Sequence, residues 1–377
     1  TKTSLPTQHI TEPVKGSVVF DLGQNMAGVA RIHIPVKKGQ KVRIRFAEML
    51  QANGEIYTRN YRSAVSTDFY IPAKDGVIQW QPRFTFHGFR YVELSGFDES
   101  YTPETSWVTG LVQYSDFDIA GTFVSSHDKL NQLQSNIEWG LRGNFLDIPT
   151  DCPQRDERAG WTGDAQVFVP TSLFIADAHA FWSSWMQSVR DDQREDGSIP
   201  IVVPDIDKRR VSSGWGDAAT IIPWEIYMRT GDLSILEDSY PSMLEWINYY
   251  ASVSEDHIPD MFTYGDWLQP YSQHPEDERK GETYEKLIHT AFYARSLDLT
   301  RQTAEVLGRT EEAEKLRSRL QEVRAAFQNE FFDENGRVSK GKATQTAYLL
   351  AIAYKLLTPD LEVKAIPHLL VEIEKAD

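Results

Sequence analysis

The sequence predicts a multidomain β + α protein: an antiparallel β-sandwich over residues 1–118, followed by a helical domain over residues 119–377. Two observations carry this reading. Early in the chain, apolar and polar residues alternate with period two between turn signals, the mark of strands with one buried face. Later, apolar residues recur at helical spacing over long segments, with charge on the other side.

The elements follow in order. Ile32 and Ile34 alternate with Arg31 and His33, and Val42, Ile44 and Phe46 alternate with Lys41, Arg43 and Arg45. Residues 90–94 and 107–114 are further strand candidates. Lys38-Gly39, Asn53-Gly54, Lys74-Asp75-Gly76 and Gly96 supply turns between the runs. Short strands at this spacing suit an antiparallel sandwich. Over residues 127–146, Leu130, Leu133, Ile137 and Leu141 predict a helix that Ser125 or Ser126 would cap. Residues 164–192 are aromatic-rich and read as a helix pair or one long buried helix. Further helices are expected over 218–230, 232–253, 282–307, 311–331, 343–357 and 362–374, the last interrupted or started by Pro367. The pattern is clearest over 311–331, where Leu316, Leu320, Val323 and Phe327 form one stripe. No repeat of fixed period is present.

A length of 377 residues suits two or three domains. A net charge of −16 argues against a nucleic-acid partner, which needs a basic patch, and offers little attraction to an anionic membrane. No apolar run approaches the roughly 20 residues of a membrane helix. The first residues do not read as a signal peptide. With one cysteine in the chain, a cytoplasmic location is favoured, and periplasm or secretion stays open. That cysteine, Cys152, has no partner for an intrachain disulfide and no nearby histidine in sequence to activate it, so it reads as a packing residue.

Residues 147–168 are the most informative stretch. They place Asp147, Asp151, Asp156, Glu157 and Asp164 around Arg155, Arg158 and Trp161. Pro149 and Pro153 oppose a continuous helix, and Gly160 and Gly163 permit turns. Such a segment is a poor core element and a good loop for holding a polyhydroxylated ligand beside an acid. Read from the residues alone, Glu157 is equally a proton donor or a member of a structural ion-pair network. Asp164 is a sugar ligand, a cap for the helix that follows, or both. Among ten tryptophans, Trp161, Trp215 and Trp267 stand out by their glycine and aspartate neighbours, as in Gly214-Trp215-Gly216-Asp217 and Tyr264-Gly265-Asp266-Trp267. Asp217 and Asp266 are secondary candidates for hydroxyl binding.

The run from Asp151-Cys152-Pro153-Gln154-Arg155-Asp156-Glu157-Arg158 to Gly160-Trp161-Thr162-Gly163-Asp164 resembles the signature of bacterial α-L-rhamnosidases, the inverting glycoside hydrolases of family 78. Phe20-Asp21-Leu22-Gly23-Gln24-Asn25-Met26-Ala27-Gly28 and Arg83-Phe84-Thr85-Phe86-His87-Gly88-Phe89-Arg90-Tyr91 resemble the sandwich that precedes the family's catalytic domain. The resemblance covers most of the chain, more weakly after about residue 300. It implies that the helical domain is an (α/α)6 toroid. It also implies that Glu157 is the general acid, that Asp151 and Asp164 contact rhamnose, and that the substrate is a rhamnoside, small or oligosaccharide. The tryptophans would bury the methyl of this 6-deoxy sugar, worth roughly 0.8 kcal/mol. No cofactor and no metal is implied.

For the acid role, Glu157 must hold a proton, so Arg155 and Arg158 are expected to point elsewhere or to pair with other acids. The family's water-activating base has no convincing match. Glu362, Glu372 and Glu374 read as a solvated face, and His289 as a core or interface histidine. About eight helices do not close a twelve-helix toroid, so the chain is expected to be a fragment or an unusually short member. The base is expected beyond residue 377, and the isolated chain is expected to hydrolyse rhamnosides poorly. The acidic loop lacks EF-hand spacing, and Gly341-Lys342-Ala343 misses the phosphate-loop pattern. Trp80, Phe84, Phe86 and Phe89 read as core and interdomain contact rather than a sugar platform, with Arg83 and His87 at a rim or interface. Alternative functions are another exo-glycosidase or a polysaccharide lyase on an α/α toroid, or a sugar-binding protein without turnover.

Overall fold

One long strand organises the N-terminal half. The structure, a computed structural model, describes residues 3–206, 210–270, 272–274 and 276–375. Its first strands are β1 (Ser4–Pro6), β2 (His9–Val14), β3 (Ser17–Val36), β4 (Val42–Ala47), β5 (Met49–Leu50), β6 (Ile56–Tyr57), β7 (Thr67–Tyr70), β8 (Gly76–Trp80), β9 (His87–Ser95) and β10 (Val108–Val112). All but β5 and β6, which pair with each other, join one antiparallel sheet with the path β1-β10-β3-β9-β4-β7. The 20-residue β3 also pairs with β2 near its start and with β8 near its end. Its register against β9 shifts between Asp21 and Met26, so β3 changes partners around an irregularity. At Gly28 (φ +152°) a side-chain Cβ would sit 2.0 Å from the Leu111 carbonyl oxygen, so only glycine lets β10 approach.

The period-two expectation holds. Ile32, Ile34, Val42, Ile44 and Phe46 are buried, while His33, Lys41 and Arg43 are exposed. These residues join Phe20, Phe89, Val92 and Leu94 in one core. His87 belongs to the sheet and not to a rim: it stacks on Phe46 with ring centroids 4.1 Å apart and faces Asp68 at 3.2 Å. Of the four aromatics expected as core and interdomain contact, Phe89 is enclosed and Trp80 packs partly buried against the core. Phe84 is a correction, since it lies wholly exposed at φ +59°.

The chain then becomes helical: α1 (Asp128–Asn144), α2 (Thr162–Ile175), α3 (His179–Asp191), α4 (Ala218–Thr230), α5 (Leu233–Ser252), α6 (Glu285–Val306), α7 (Thr310–Phe331), α8 (Gln345–Ala353) and α9 (Pro359–Glu374). Residues 164–192 thus resolve as the helix pair. Two expected boundaries are corrected. His127, not Ser125 or Ser126, occupies the N-cap of α1, and the Ser125 hydroxyl accepts from the His127 N–H instead. Pro367 lies inside α9, which starts with Pro359 at its first position, where a missing N–H costs nothing.

Two compact units result: Thr1–Gly160 with Ile175–Asp177, and Trp161–Phe174 with Ala178–Asp377. The first contains α1 as well as the sheet. In the second, α3, α5, α7 and α9 each bury one stripe; in α7 it is the expected Leu316, Leu320, Val323 and Phe327. The alternate helices α4, α6 and α8 have little contrast between faces, α4 packs on α6, and α6 packs on α8. α4 and α8 are mainly apolar in composition and α6 buries much of its length, as suits inner helices, whereas amphipathic helices suit an outer layer. This two-layer order is consistent with an α/α toroid-like fold.

Candidate functional site

In the first unit, the signature loop follows a small hairpin of β11 (Phe145–Leu146) and β12 (Ile148–Pro149). Asp147 turns this hairpin at φ +70°, a conformation that aspartate tolerates, so its part is structural. Glu157 is half-buried. Its Oε2 accepts from Arg62 at 3.1 Å and lies 2.7 Å from Arg155. Arg155, expected to point elsewhere or to pair with other acids, does lie 3.5 Å from Asp151, but it also stays on Glu157. Arg158 does turn away: it donates to the Phe86 carbonyl at 2.8 Å and lies 3.9 Å over the Phe86 ring. Arg62 comes from the sandwich, 95 residues upstream of Glu157. Nothing in the local pattern marks it.

Asp151 is turned inward, its side chain 8% exposed. Its Oδ1 accepts the Ala159 N–H at 3.0 Å, which closes the loop on itself. Its Oδ2 has no hydrogen-bond partner among the described residues, although Arg155 lies 3.5 Å away. Asp156 accepts from the Ser63 hydroxyl and N–H, which hold its carboxyl below the usual range, in keeping with a structural part. Cys152 is buried. Burial, and then the adjacent Asp151 carboxylate, push its thiol up to about 12. A thiol that stays protonated and enclosed is a poor nucleophile. Iodoacetamide at pH 8 is therefore expected to leave Cys152 unmodified in the native protein and to label it fully after denaturation, as read by mass spectrometry.

In the second unit, the three tryptophans singled out from the sequence converge on one ring, Tyr264. Centroid distances to it are 6.0 Å from Trp161, 4.8 Å from Trp215 and 5.2 Å from Trp267, with Phe262 at 4.9 Å. Tyr264 opens the Tyr264-Gly265-Asp266-Trp267 motif, but nothing in its spacing marks it as the hub. Trp161 is positioned by a β-bridge to Val202 and Trp267 by Arg279, 5.4 Å over its ring. Trp215 is fitted against Gly163, where an added Cβ would stand 2.5 Å from the indole nitrogen. Gln166, one turn along α2, donates to the Gly214 carbonyl and fixes the same turn. Asp164 is exposed in the first turn of α2, which starts at Thr162, so it is not the N-cap. Its charge there favours the positive end of the helix.

Of the two secondary aspartates, Asp217 lies inside the fold and Asp266 is half-buried. Asp217 is a correction, because it is fully enclosed and saturated by protein donors. It accepts from Gly214 N–H at 2.7 Å, Trp246 Nε1 at 3.1 Å, the Tyr250 hydroxyl at 3.0 Å and the Ser296 hydroxyl at 2.6 Å. Burial pushes its carboxyl up against the pull of these four donors. No oxygen is left for a sugar. Asp266 Oδ2 accepts from Thr283 at 2.8 Å. Its Oδ1 is buried without a partner among the described residues, in a space that exists because residue 281 is glycine. His289 donates through Nδ1 to the Pro259 carbonyl at 3.2 Å, and burial lowers its basicity, in keeping with a core histidine. Among the described residues no group of three or more metal-ligating side chains occurs, and no helix is long and apolar enough to cross a membrane.

Residues 118–377 match the bacterial alpha-L-rhamnosidase 6 hairpin glycosidase domain, and residues 11–114 match the bacterial alpha-L-rhamnosidase concanavalin-like domain. The chain belongs to the bacterial α-L-rhamnosidase family. It is 58% identical over 362 residues to an alpha-L-rhamnosidase of Formosa agariphila, which covers 96% of this chain and 39% of that protein. It is 55% identical to one from Alteromonas sp., over 93% of this chain and 38% of that protein. Among solved structures, Streptomyces avermitilis alpha-L-rhamnosidase complexed with L-rhamnose superposes with a TM-score of 0.91 at 39% identity, covering 100% of this chain and 35% of that one. The chain thus spans between a third and two fifths of the length of these rhamnosidases.

Proposed function

We propose that this chain carries the proton donor and part of the sugar pocket of an inverting α-L-rhamnosidase, built on an α/α toroid, that releases terminal rhamnose. Glu157 protonates the glycosidic oxygen. Asp151 and Asp164 accept hydrogen bonds from sugar hydroxyls, as ionised carboxylates do for vicinal diols. Trp161, Trp215 and Trp267 form the wall that takes the ring face and the methyl group. Asp266 is a further candidate through its unpaired oxygen. The water-activating base, which an inverting site holds roughly 6.5–9.5 Å from the acid, is assigned to no residue of this chain.

The observation that carries this reading is the convergence of the three tryptophans on Tyr264 in a chain of this family. Four aromatic side chains together offer the apolar faces on which a deoxyhexose stacks. The acid role asks that Glu157 shed part of its ion pairing when the substrate arrives. Arg62 is the partner to give way, since its side chain is 55% exposed and exposed pairs hold weakly.

Titration with L-rhamnose is expected to change the tryptophan fluorescence, and Trp215→Ala is expected to weaken binding about tenfold or more. No binding of L-rhamnose by the wild-type chain would sink the proposal. Sugar binding without turnover is the second reading, favoured by the two guanidiniums on Glu157. Calorimetry beside a rate assay on an aryl α-L-rhamnoside separates the two.

A further inference from the structure

Where α1 packs on β3, the first unit holds a cavity of about 270 Å³ whose lining includes Gln24, Asn25, Glu48, Asn136, Trp139 and Gly140. Amides, one carboxylate and one indole meet there, and no lysine or arginine is among the described lining residues. The carboxylate is committed. Glu48 Oε1 accepts from Asn25 Nδ2 at 3.0 Å, and its Oε2 accepts from Asn60 Nδ2 at 3.3 Å. The amides are only half committed. Asn25 keeps its Oδ1, and Asn136, whose Oδ1 accepts from Gln132 at 2.7 Å, keeps its Nδ2; neither atom is bonded among the described residues. A free acceptor and a free donor beside an indole suit hydroxyl groups, each of which gives one hydrogen bond and accepts another. Trp139 is already held, by Arg142 5.3 Å over its ring and by packing against the core, so little order is lost when a ligand meets it.

Two further lining residues, Gly140 and Gly143, stand inside α1, where glycine weakens a helix relative to alanine. The packing of the protein does not ask for either. A Cβ at 140 would meet nothing within 4 Å, and one at 143 would meet only Pro153 Cγ at 3.9 Å, an ordinary contact. Neither has the positive φ that favours glycine. Their missing side chains keep the cavity open at a cost to the helix.

We propose that this cavity is a carbohydrate site built from other residues than the tryptophan cluster, and that it takes one uncharged pyranose ring, free or at the end of a chain. Its volume lies just under the roughly 300–1,000 Å³ of ligand pockets, which suits a single ring. A wall without cations, its carboxylate already bonded, does not suit a uronate or a phosphate. The site stands on its own lining and not on the role of Glu157.

Ligand-observed NMR with L-rhamnose, D-glucose, D-galactose and D-glucuronate, on the wild-type chain and on Gly140→Leu, Asn136→Ala and Trp215→Ala, tests it. Gly140→Leu fills the cavity and favours the helix. It should raise the melting temperature by about 1–4 °C and weaken at least one neutral sugar by about tenfold or more. Asn136→Ala, at an exposed position, should weaken the same sugar by about 3- to 10-fold, and it decides alone if the leucine variant does not fold. Equal binding of every neutral sugar by the wild type and both cavity variants overturns the proposal, as does the absence of neutral-sugar binding. Glucuronate binding that Gly140→Leu removes overturns the assignment of an uncharged ring. If L-rhamnose binding is lost in Trp215→Ala and all sugar binding survives the cavity variants, this proposal falls and the reading of the tryptophan cluster stands. If the cavity variants alone abolish sugar binding, the cavity is the site and the cluster is not.

Discussion

Replacing Glu157 by glutamine is expected to cut turnover of an unactivated rhamnoside by about 10²- to 10⁴-fold in the protein that carries this chain. The amide keeps the shape of the carboxyl group and cannot give up a proton. Binding of L-rhamnose should change by no more than a few-fold, because the free sugar has no leaving oxygen to protonate. A nitrophenyl rhamnoside should lose far less than a glycosidic disaccharide, because nitrophenolate departs without help. That contrast distinguishes loss of a proton donor from general damage. Glutamine also replaces the charge that Arg62 and Arg155 share, so some loss of thermal stability should accompany the change. Unchanged turnover of the disaccharide would show that the proton comes from another group.

The largest effect on stability is expected at Asp217. Asp217→Ala leaves Gly214 N–H, Trp246 Nε1, Tyr250 OH and Ser296 OH without their acceptor inside the fold. An orphaned buried donor costs about 1–3 kcal/mol, and the two hydroxyls can rotate to new partners, so the total should be about 3–5 kcal/mol. For a domain of this size, that lowers the melting temperature by roughly 6–20 °C. Asp217→Asn should cost less, since it keeps the shape and one acceptor. The sign with pH follows from burial, which raises the Asp217 carboxyl above its ordinary range. The folded state then holds the proton more tightly than the unfolded chain. This contribution is complete below the usual aspartate pKa and is lost as pH rises through the raised one. The asparagine variant lacks it, so its stability should fall less than the wild type's over that rise. Chemical denaturation at several pH values measures both effects, and a wild-type melting temperature in Asp217→Ala would refute the saturated-carboxylate account.

Local pattern made some of this legible. Ile32, Ile34, Val42, Ile44 and Phe46 are buried because a period-two pattern has one meaning in a strand. The stripe of α7 is buried because 3.6-residue spacing leaves one face apolar. Trp161, Trp215 and Trp267 stand out in sequence by their glycine and aspartate neighbours, whereas Gly163, which admits the Trp215 indole, is distant from it along the chain. What stayed hidden depends on partners distant in sequence. Arg62 reaches Glu157 from the sandwich, so residues near 157 could not announce it. Asp217 reads like a ligand in Gly-Trp-Gly-Asp, yet Trp246, Tyr250 and Ser296, on α5 and α6, close around it. Phe84 carries the opposite lesson: it reads as core or interdomain contact, yet it lies exposed at a positive φ that no neighbouring residue announces.

Tyr264 has an evolutionary consequence. Three indoles lean on one phenol ring, so none can be reshaped without disturbing the support of the others. Substitutions among these four positions should therefore be epistatic, with double variants departing from the sum of the single ones. A lineage that reshapes this cluster would find Tyr264 the hardest of the four to exchange and the most far-reaching once exchanged.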